Sequence, residues 1–461
     1  MMEINKWVNH LTKNFVSIYP LVVFRIFFGI ILFTSTLRFI LKGWVYDLYL
    51  KPTYFFTYKG FDWISPVGEN FIYGAFALLL IFSLLITLGL FYRVSAVMFF
   101  LVFTYIELID KTNYLNHYYF ISLMSFIMIF LPANKFLSID NLLGIIKEKR
   151  FIEAWKINII KLQVGVVYFY AGIAKLNYHW LVEAQPLSNW LKHQSDFPIF
   201  GNLFLNDYTA YIFSWSGALF DLLIFFILIN KRYRIYGYVL VVVFHILTSI
   251  MFPIGVFPLV MIFTTLIFFS DEFHEKLLYF INKNKFLKKY QSEIINSKKE
   301  KNLLIKLLLT AFFILQLILP LRFLLYPGKL FWTEQGYRFS WRVMLIEKAG
   351  YAQFFIHEPR MNRKMLIENQ NYLTPQQEKM MATQPDMILQ FAHFLSSEFK
   401  DSTINESNGE IIYLGENPKI TAKVKVSLFN KGSKDFINSN VNLSNIKRGL
   451  KHKEWILKYE D

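Results

Sequence analysis

The sequence predicts a polytopic α-helical membrane protein of about nine spans with a C-terminal extracytoplasmic α+β domain. Three observations carry that expectation. The 461 residues are 55% hydrophobic, with a mean hydropathy of +0.35, well above an ordinary soluble domain. The apolar residues fall in runs close to the roughly 20 needed to cross a bilayer as a helix. From residue 327 onward the composition turns polar and no further run appears.

In chain order the candidate spans are 18–41, 70–90, 94–109, 117–133, 157–178, 209–230, 234–251, 254–270 and 302–325. The third, fourth and eighth are short. Only Met251-Phe252-Pro253 separates the seventh from the eighth, so that pair reads as a hairpin or a re-entrant segment. The first run, Ile18 to Leu41, is too long for the apolar part of a cleavable signal and reads as a retained anchor. The chain therefore divides into a membrane domain, 1–326, and a soluble domain, 327–461. In the second, Ala352 to His357 and Ile420 to Leu428 alternate like half-buried strands. Gln376 to Phe399 has helical spacing, and Ser402 to Gly409 reads as a loop. No internal repeat is visible.

Net charge is +16, which in a soluble chain would suggest nucleic acid. Its distribution argues otherwise. If the spans alternate, the loops 1–17, 91–93, 134–156, 231–234 and 271–301 hold 19 Lys and Arg, against 5 in the opposite set. The positive-inside rule then puts the N-terminus in the cytoplasm and, after an odd number of spans, residues 327–461 outside. The basic 276–301 stretch becomes a cytoplasmic loop near anionic lipid.

The chain has no cysteine, which excludes disulfides, thiolate metal sites and cysteine nucleophiles. Neither a metal-binding His or carboxylate pattern nor a nucleotide-binding glycine pattern appears. Ionisable residues at membrane depth are costly and mark function by default. Here they are Arg25, Glu107, His117, Lys175, Asp221 and His245. Arg25 and Asp221 read first as polar contacts between helices, and Glu107 and Asp110 as groups close enough to the outer end to reach water. His245 lies deeper, where a histidine is usually a satisfied packing residue. Lys175 ends an apolar, aromatic and small-residue stretch that includes Ala171 and Gly172. Either it snorkels to the interface, or it is a desolvated amine able to act as a base.

Five segments resemble the vitamin K-dependent γ-glutamyl carboxylases, also called the horizontally transferred transmembrane domain family. The first combines Leu88-Gly-Leu-Phe-Tyr-Arg-Val-Ser, Asp110-Lys-Thr-Asn-Tyr-Leu-Asn-His-Tyr-Tyr and Ser138-Ile-Asp-Asn-Leu-Leu. The second is Gln163 to Leu176 with Trp180, and the third Phe244-His-Ile-Leu-Thr-Ser with Ile254-Gly-Val-Phe. The fourth is Gly336-Tyr-Arg-Phe-Ser-Trp-Arg-Val-Met-Leu, and the fifth Met381-Ala-Thr-Gln-Pro-Asp-Met-Ile-Leu-Gln-Phe-Ala. They extend over about two-thirds of the chain, in the family's order, and the last two look bacterial.

The resemblance implies a multi-pass enzyme of the bacterial inner membrane. It would couple oxygenation of reduced vitamin K (phylloquinone or menaquinone hydroquinone) by O2 to carboxylation of peptide glutamate with CO2, without a metal. Lys175 matches the family's lysine base, and Asn116 and His117 match an Asn-His pair suited to orienting an oxyanion. His245 matches a family histidine and, with Tyr170 and Trp180, is expected to bind the quinone. The implied partners are a Glu-containing peptide or protein at the outer face, a lipid-soluble quinone and the membrane, with no nucleic acid. The alternatives are an epoxidase that has lost peptide carboxylation, a non-enzymatic quinone-binding sensor and, more weakly, a small-solute transporter. Inverted repeats would favour the last.

The loop charges generate a direct test of orientation. With no native cysteine to interfere, Glu460→Cys should react with an impermeant thiol reagent on intact cells. Reaction only after permeabilisation would reverse the topology.

Overall fold

The computed structural model describes residues 15–198, 201–281, 303–358, 363–405 and 411–460. Among them, seven helices are long and apolar enough to cross a membrane, or up to eight if a bent pair counts as one span. They are α1 (Tyr19–Leu41), α2 (Glu69–Leu88), α3 (Tyr92–Ile109), α5 (Trp155–Lys175), α6 (Asp207–Ile229), α7 (Arg234–Met251) and α10 (Leu303–Ile318), which a 3₁₀ turn extends through Leu325. The fourth expected span is the shorter α4 (Asn116–Phe130). The eighth is α8 (Phe257–Thr265), which continues in 3₁₀ form to Phe268 and then bends by 117° into α9 (Asp271–Ile281). The expected 271–301 loop thus begins as a helix, because Asp271-Glu-Phe-His-Glu places His274 and Leu278 on one buried face. The protein is a multi-pass membrane protein.

The α7–α8 pair is a helical hairpin. Pro253 cannot continue α7, and Gly255 takes a left-handed φ of +66° to reverse the chain. Helices α5 and α6 approach closely for a different reason. A Cβ on Gly165 would overlap the Phe225 ring, and one on Gly172 would sit 2.8 Å from the Leu222 backbone nitrogen. Small residues let helix backbones meet where lipid supplies no hydrophobic drive. Arg25 is buried in α1 and donates to the carbonyls of Ala133 (2.9 Å) and Leu137 (2.6 Å), a polar contact with the loop after α4 rather than with another helix as expected.

The C-terminal region is α+β, as expected. Strands β3 (Lys348–His357), β4 (Lys364–Ile367), β7 (Ile420–Leu428) and β8 (Ser433–Asp435) form an antiparallel sheet of order β4-β3-β7-β8. Along β7, Ile420, Ala422, Val424, Val426 and Leu428 all face inward. The register sets Phe354 opposite Ala422 and Ala352 opposite Val424, so large and small residues alternate across the pair. A short hairpin, β1 (Phe15–Ser17) with β2 (Phe151–Glu153), ties the start of α1 to the start of α5.

Two expectations in this region need correction. The helix expected over Gln376–Phe399 is two helices, α11 (Pro375–Met381) and α12 (Pro385–Glu398). Pro385 lacks an amide hydrogen and disfavours helical geometry in Gln384, so the chain breaks there and restarts. The Ser402–Gly409 loop opens as strand β5 (Thr403–Asn405), paired with β6 (Ile411–Tyr413); residues 406–410 lie outside the described residues.

The α5–α6 contact generates a stability prediction. Gly172→Val should lower the thermal stability of the purified protein by about 1–3 kcal/mol through overpacking. Gly74→Ala, whose Cβ meets nothing within 4 Å, should be neutral or slightly stabilising. Equal midpoints for the two variants would remove the close-packing argument.

Candidate functional site

The carboxyl end of α5 places Lys175 beside the C-terminal domain. Helical spacing puts Val164, Val167, Tyr168, Ala171 and Lys175 on one face, and all but the first line an apolar cavity. Helix α6 contributes Phe213, Gly217 and Asp221 at four-residue intervals, and α7 contributes Phe244, His245 and Thr248. A short helix after α5, Tyr178–Leu181, adds Trp180, and Val343 and Met344 close the wall from the C-terminal region.

Lys175 is 6% exposed, which excludes snorkelling to water. Its Nζ donates to Asp221 Oδ2 at 2.5 Å and to the Ala171 carbonyl at 3.4 Å, and lies 5.4 Å from the centre of the Trp180 ring. Asp221, first read as a helix contact, is therefore also the partner of the candidate base. His245 Nε2 hydrogen-bonds the Tyr168 hydroxyl at 2.9 Å. Its Nδ1 is buried and has no hydrogen-bond partner. A buried polar atom of this kind on a cavity wall is an open position for a ligand.

The other expected residues lie differently. Trp180 lines the cavity, with its indole Nε1 donating to the Ser214 carbonyl at 2.7 Å. Tyr170 does not line it; its hydroxyl donates to the Leu317 carbonyl of α10 at 2.6 Å. Two residues along a helix from Tyr168, it faces another side. Asn116 and His117 are outside the wall too. Phe257 stands between the histidines, with ring centres 6.1 Å from His117 and 5.9 Å from His245. Asn116 donates Nδ2 to the Arg342 carbonyl at 3.3 Å and accepts from the Tyr114 hydroxyl at 3.0 Å. It therefore holds the 336–344 segment that completes the cavity. Tyr168 had no assigned role in the sequence reading, although its i−7 position from Lys175 puts it on the same face of α5; Asp221 was read only as a helix contact, and its place beside Lys175 is set by the packing of α6 on α5.

That segment is unusual in itself. Phe339, Trp341 and Met344 all have left-handed φ, at 61°, 58° and 55°. Such angles are uncommon for bulky residues and persist only when packing enforces them. Tyr119 supplies that packing: Phe339 lies edge-on at 5.0 Å or less and Trp341 stacks at 5.0 Å. The Phe339 amide donates to the Tyr114 hydroxyl at 2.9 Å.

A second cavity, of about 330 Å3, lies at the other end of this segment, between the membrane helices and the C-terminal region. Gly336, Arg338 and Phe339 line it with Lys59, Lys111, Arg322, Arg448 and Lys453. Its acidic lining residues are Asp386 and Glu334, and Glu334 is bound to Lys348 at 3.0 Å. Lys111 and Arg338 each reach Asp386 Oδ2 at 2.9 Å. Lys111 also donates to Gln390 at 2.8 Å. Asp110 beside it does not reach water as expected. It is buried, caps the turn at Thr112 and accepts from Gln377 Nε2 at 2.8 Å.

Burial alone would raise the Asp386 carboxyl, but Arg338 and Lys111 outweigh it and hold the group well below the usual carboxylate range. Burial pushes Lys111 down to about 8 despite the carboxylate. The asymmetry is physical: Asp386 answers to two cations, whereas Lys111 shares one anion with a competing arginine. The carboxylate retains 37% exposure, and it lines the cavity. Among the described residues, no cluster of three or more metal-ligating side chains occurs.

Two family models match the chain. The HTTM domain matches residues 15–273. The lumenal domain of the vitamin K-dependent gamma-carboxylases matches residues 301–461. No solved structure matches.

The Lys111–Asp386–Arg338 cluster generates a pH-dependent prediction. Asp386→Asn should lower stability by about 2 kcal/mol near pH 7, less than the ~3–5 kcal/mol of a fully enclosed pair. A carboxyl held low in the fold stabilises above its ordinary range and loses that contribution as pH falls. The gap between parent and variant should thus shrink as pH falls below about 4. A gap that keeps widening below about pH 4 would refute the cluster's role.

Proposed function

The chain belongs to the HTTM-domain family and carries the lumenal domain of the vitamin K-dependent γ-carboxylases, and from that premise we propose that it is a γ-glutamyl carboxylase coupled to quinone epoxidation. The observation that carries the reading is the Lys175–Asp221 pair facing His245 across an apolar cavity. The chemistry of its lining suits the head group of a reduced quinone. Its aromatic walls suit a flat ring, Lys175 supplies an amine, and the unpartnered Nδ1 of His245 can bond a ring oxygen. When bound, reduced vitamin K supplies with O2 the strong base that glutamate carboxylation requires.

In this reading Lys175, in its neutral amine form, would take the hydroxyl proton of the bound ring at Nζ. Asp221 keeps the resulting ammonium from standing alone in a water-poor wall, where an unpaired charge is costly. Trp180 and Ala171 hold the amine's direction. Tyr168 fixes the His245 ring, leaving its other nitrogen toward the ligand. The aromatic walls exclude water, which protects a strong base from quenching. Asn116 acts through the 336–344 segment, and His117, beyond Phe257, acts on a ligand that extends past that ring. The cationic cavity at the other end of the segment is where the carboxylates of a Glu-containing peptide would be received at the outer face. Arg338 and Phe339 would bring a γ-carbon toward Val343 and Met344.

The test is to incubate purified protein with reduced quinone, O2, labelled bicarbonate and a Glu peptide, scoring epoxide and labelled peptide separately. Lys175→Ala should abolish both products and leave membrane insertion intact. Lys175→Arg should not rescue, because a guanidinium stays protonated at any usable pH. A small primary amine should partly restore the Ala variant. Near-normal epoxidation by either variant would end the assignment.

A further inference from the structure

A large apolar cavity takes no part in that chemistry. It has a volume of about 770 Å3 and lies between α5, α6, α7 and α10. Trp155 and Asn158, at the amino end of α5, are among its lining residues. The cavity therefore occupies the half of the bundle away from Lys175 and the C-terminal region. Its walls are apolar, with Leu162, Phe225, Phe313 and Ile314 among them. One wall follows α10 from Leu309 to Leu317, roughly 12 Å of helix. Tyr170, bonded to the Leu317 carbonyl, marks its inner end.

The mouth has the opposite character. Lys161, Arg234 and Lys306 all line it, and no carboxylate does. Arg234 spends its Nε and Nη2 on the carbonyls of Leu228 and Ile229 and has no carboxylate within 4 Å among the described residues. Lys161 has no carboxylate within 4 Å among the described residues; its Nζ lies 5.8 Å from the centre of the Phe268 ring. Lys306 meets Glu153 only at 3.8 Å, and Lys156 shares that carboxylate at 3.7 Å. Three cations at the rim of a deep apolar crevice call for a ligand with an anionic head and a hydrocarbon tail. An uncharged quinone would leave the cations unmatched, and a free phosphate would leave the crevice empty.

We propose that this crevice binds an anionic glycerophospholipid from the leaflet opposite the C-terminal domain. Its phosphate sits among Lys161, Arg234 and Lys306, and an acyl chain lies along α10. Basic pockets between membrane helices recognise anionic head groups in this way. The bound chain fills the gap between α10 and the α5–α6 pair, so it also supports the helix that enters the C-terminal domain. The proposal is independent of the carboxylase reading.

The test is native mass spectrometry of the full chain in detergent, titrated with phosphatidylglycerol or phosphatidylcholine of identical acyl chains. Phosphatidylglycerol adducts should be favoured by about tenfold. The double variant Lys161→Gln, Lys306→Gln should lose that preference while still retaining phosphatidylcholine. Thr310→Phe, which keeps every cation and fills the crevice, should weaken both lipids, so the test survives if the double variant fails to fold. Equal retention of the two lipids by the parent, or an unchanged preference in the double variant, would overturn the proposal. Displacement of phosphatidylglycerol by equimolar menaquinone would also overturn it, and would make the crevice a quinone site.

Discussion

A charge inside the hydrocarbon layer needs a partner at contact distance, and the arrangement of this bundle follows from how Arg25 and Lys175 meet theirs. Arg25 is satisfied by two carbonyls of the loop after α4, which fixes α1 against that loop. Lys175 is satisfied by Asp221. That pairing requires α5 and α6 to run in close contact along their length, which only small residues at Gly165 and Gly172 allow. The same contact opens, at its domain-facing end, into the cavity where Gly217 leaves space beside Trp180. Close packing at one level of the helix pair and a void at the next are two results of one glycine and alanine pattern.

The 336–344 segment links this apolar pocket to the cationic one. Its two ends serve different cavities, with Arg338 and Phe339 lining the charged one and Val343 and Met344 the apolar one. A regular helix or strand would not turn sharply enough to serve both. The left-handed angles at Phe339, Trp341 and Met344 provide the turns, and Tyr119, Tyr114 and Asn116 of the neighbouring membrane segment hold them in place. The Asn-His motif at the start of α4 meets the surroundings of the pocket in two ways. Asn116 supports the segment's backbone, while His117 lies near Gly255 at the α7–α8 turn.

Much of this was legible in the sequence, for identifiable reasons. Helical spans were readable because the bilayer demands long apolar runs whatever the tertiary fold. Strands β3 and β7 were readable because one face of each is buried and alternation follows directly. The break between α11 and α12 was also present in the sequence, since Pro385 disfavours a continuous helix; the periodicity on either side of it concealed the break. Lys175, His245 and Trp180 were singled out from residue type and depth together with family resemblance, and they do line one cavity.

Which residues share that cavity was decided only in three dimensions. Tyr168 and Tyr170 are two positions apart in one apolar run, and nothing local tells which one faces the pocket; the packing of α10 takes Tyr170 and leaves Tyr168 for His245. Asp221 is 46 residues from Lys175, and a helix gives no sign of which distant helix its charged residue will meet. The sequence by itself determined the class of the molecule and its costly residues, because both depend on each residue's own transfer from water to lipid. The pairs, the turned segment and the cavities were decided by tertiary structure, because a partner is a matter of distance across helices, and distance is not written in any one of them.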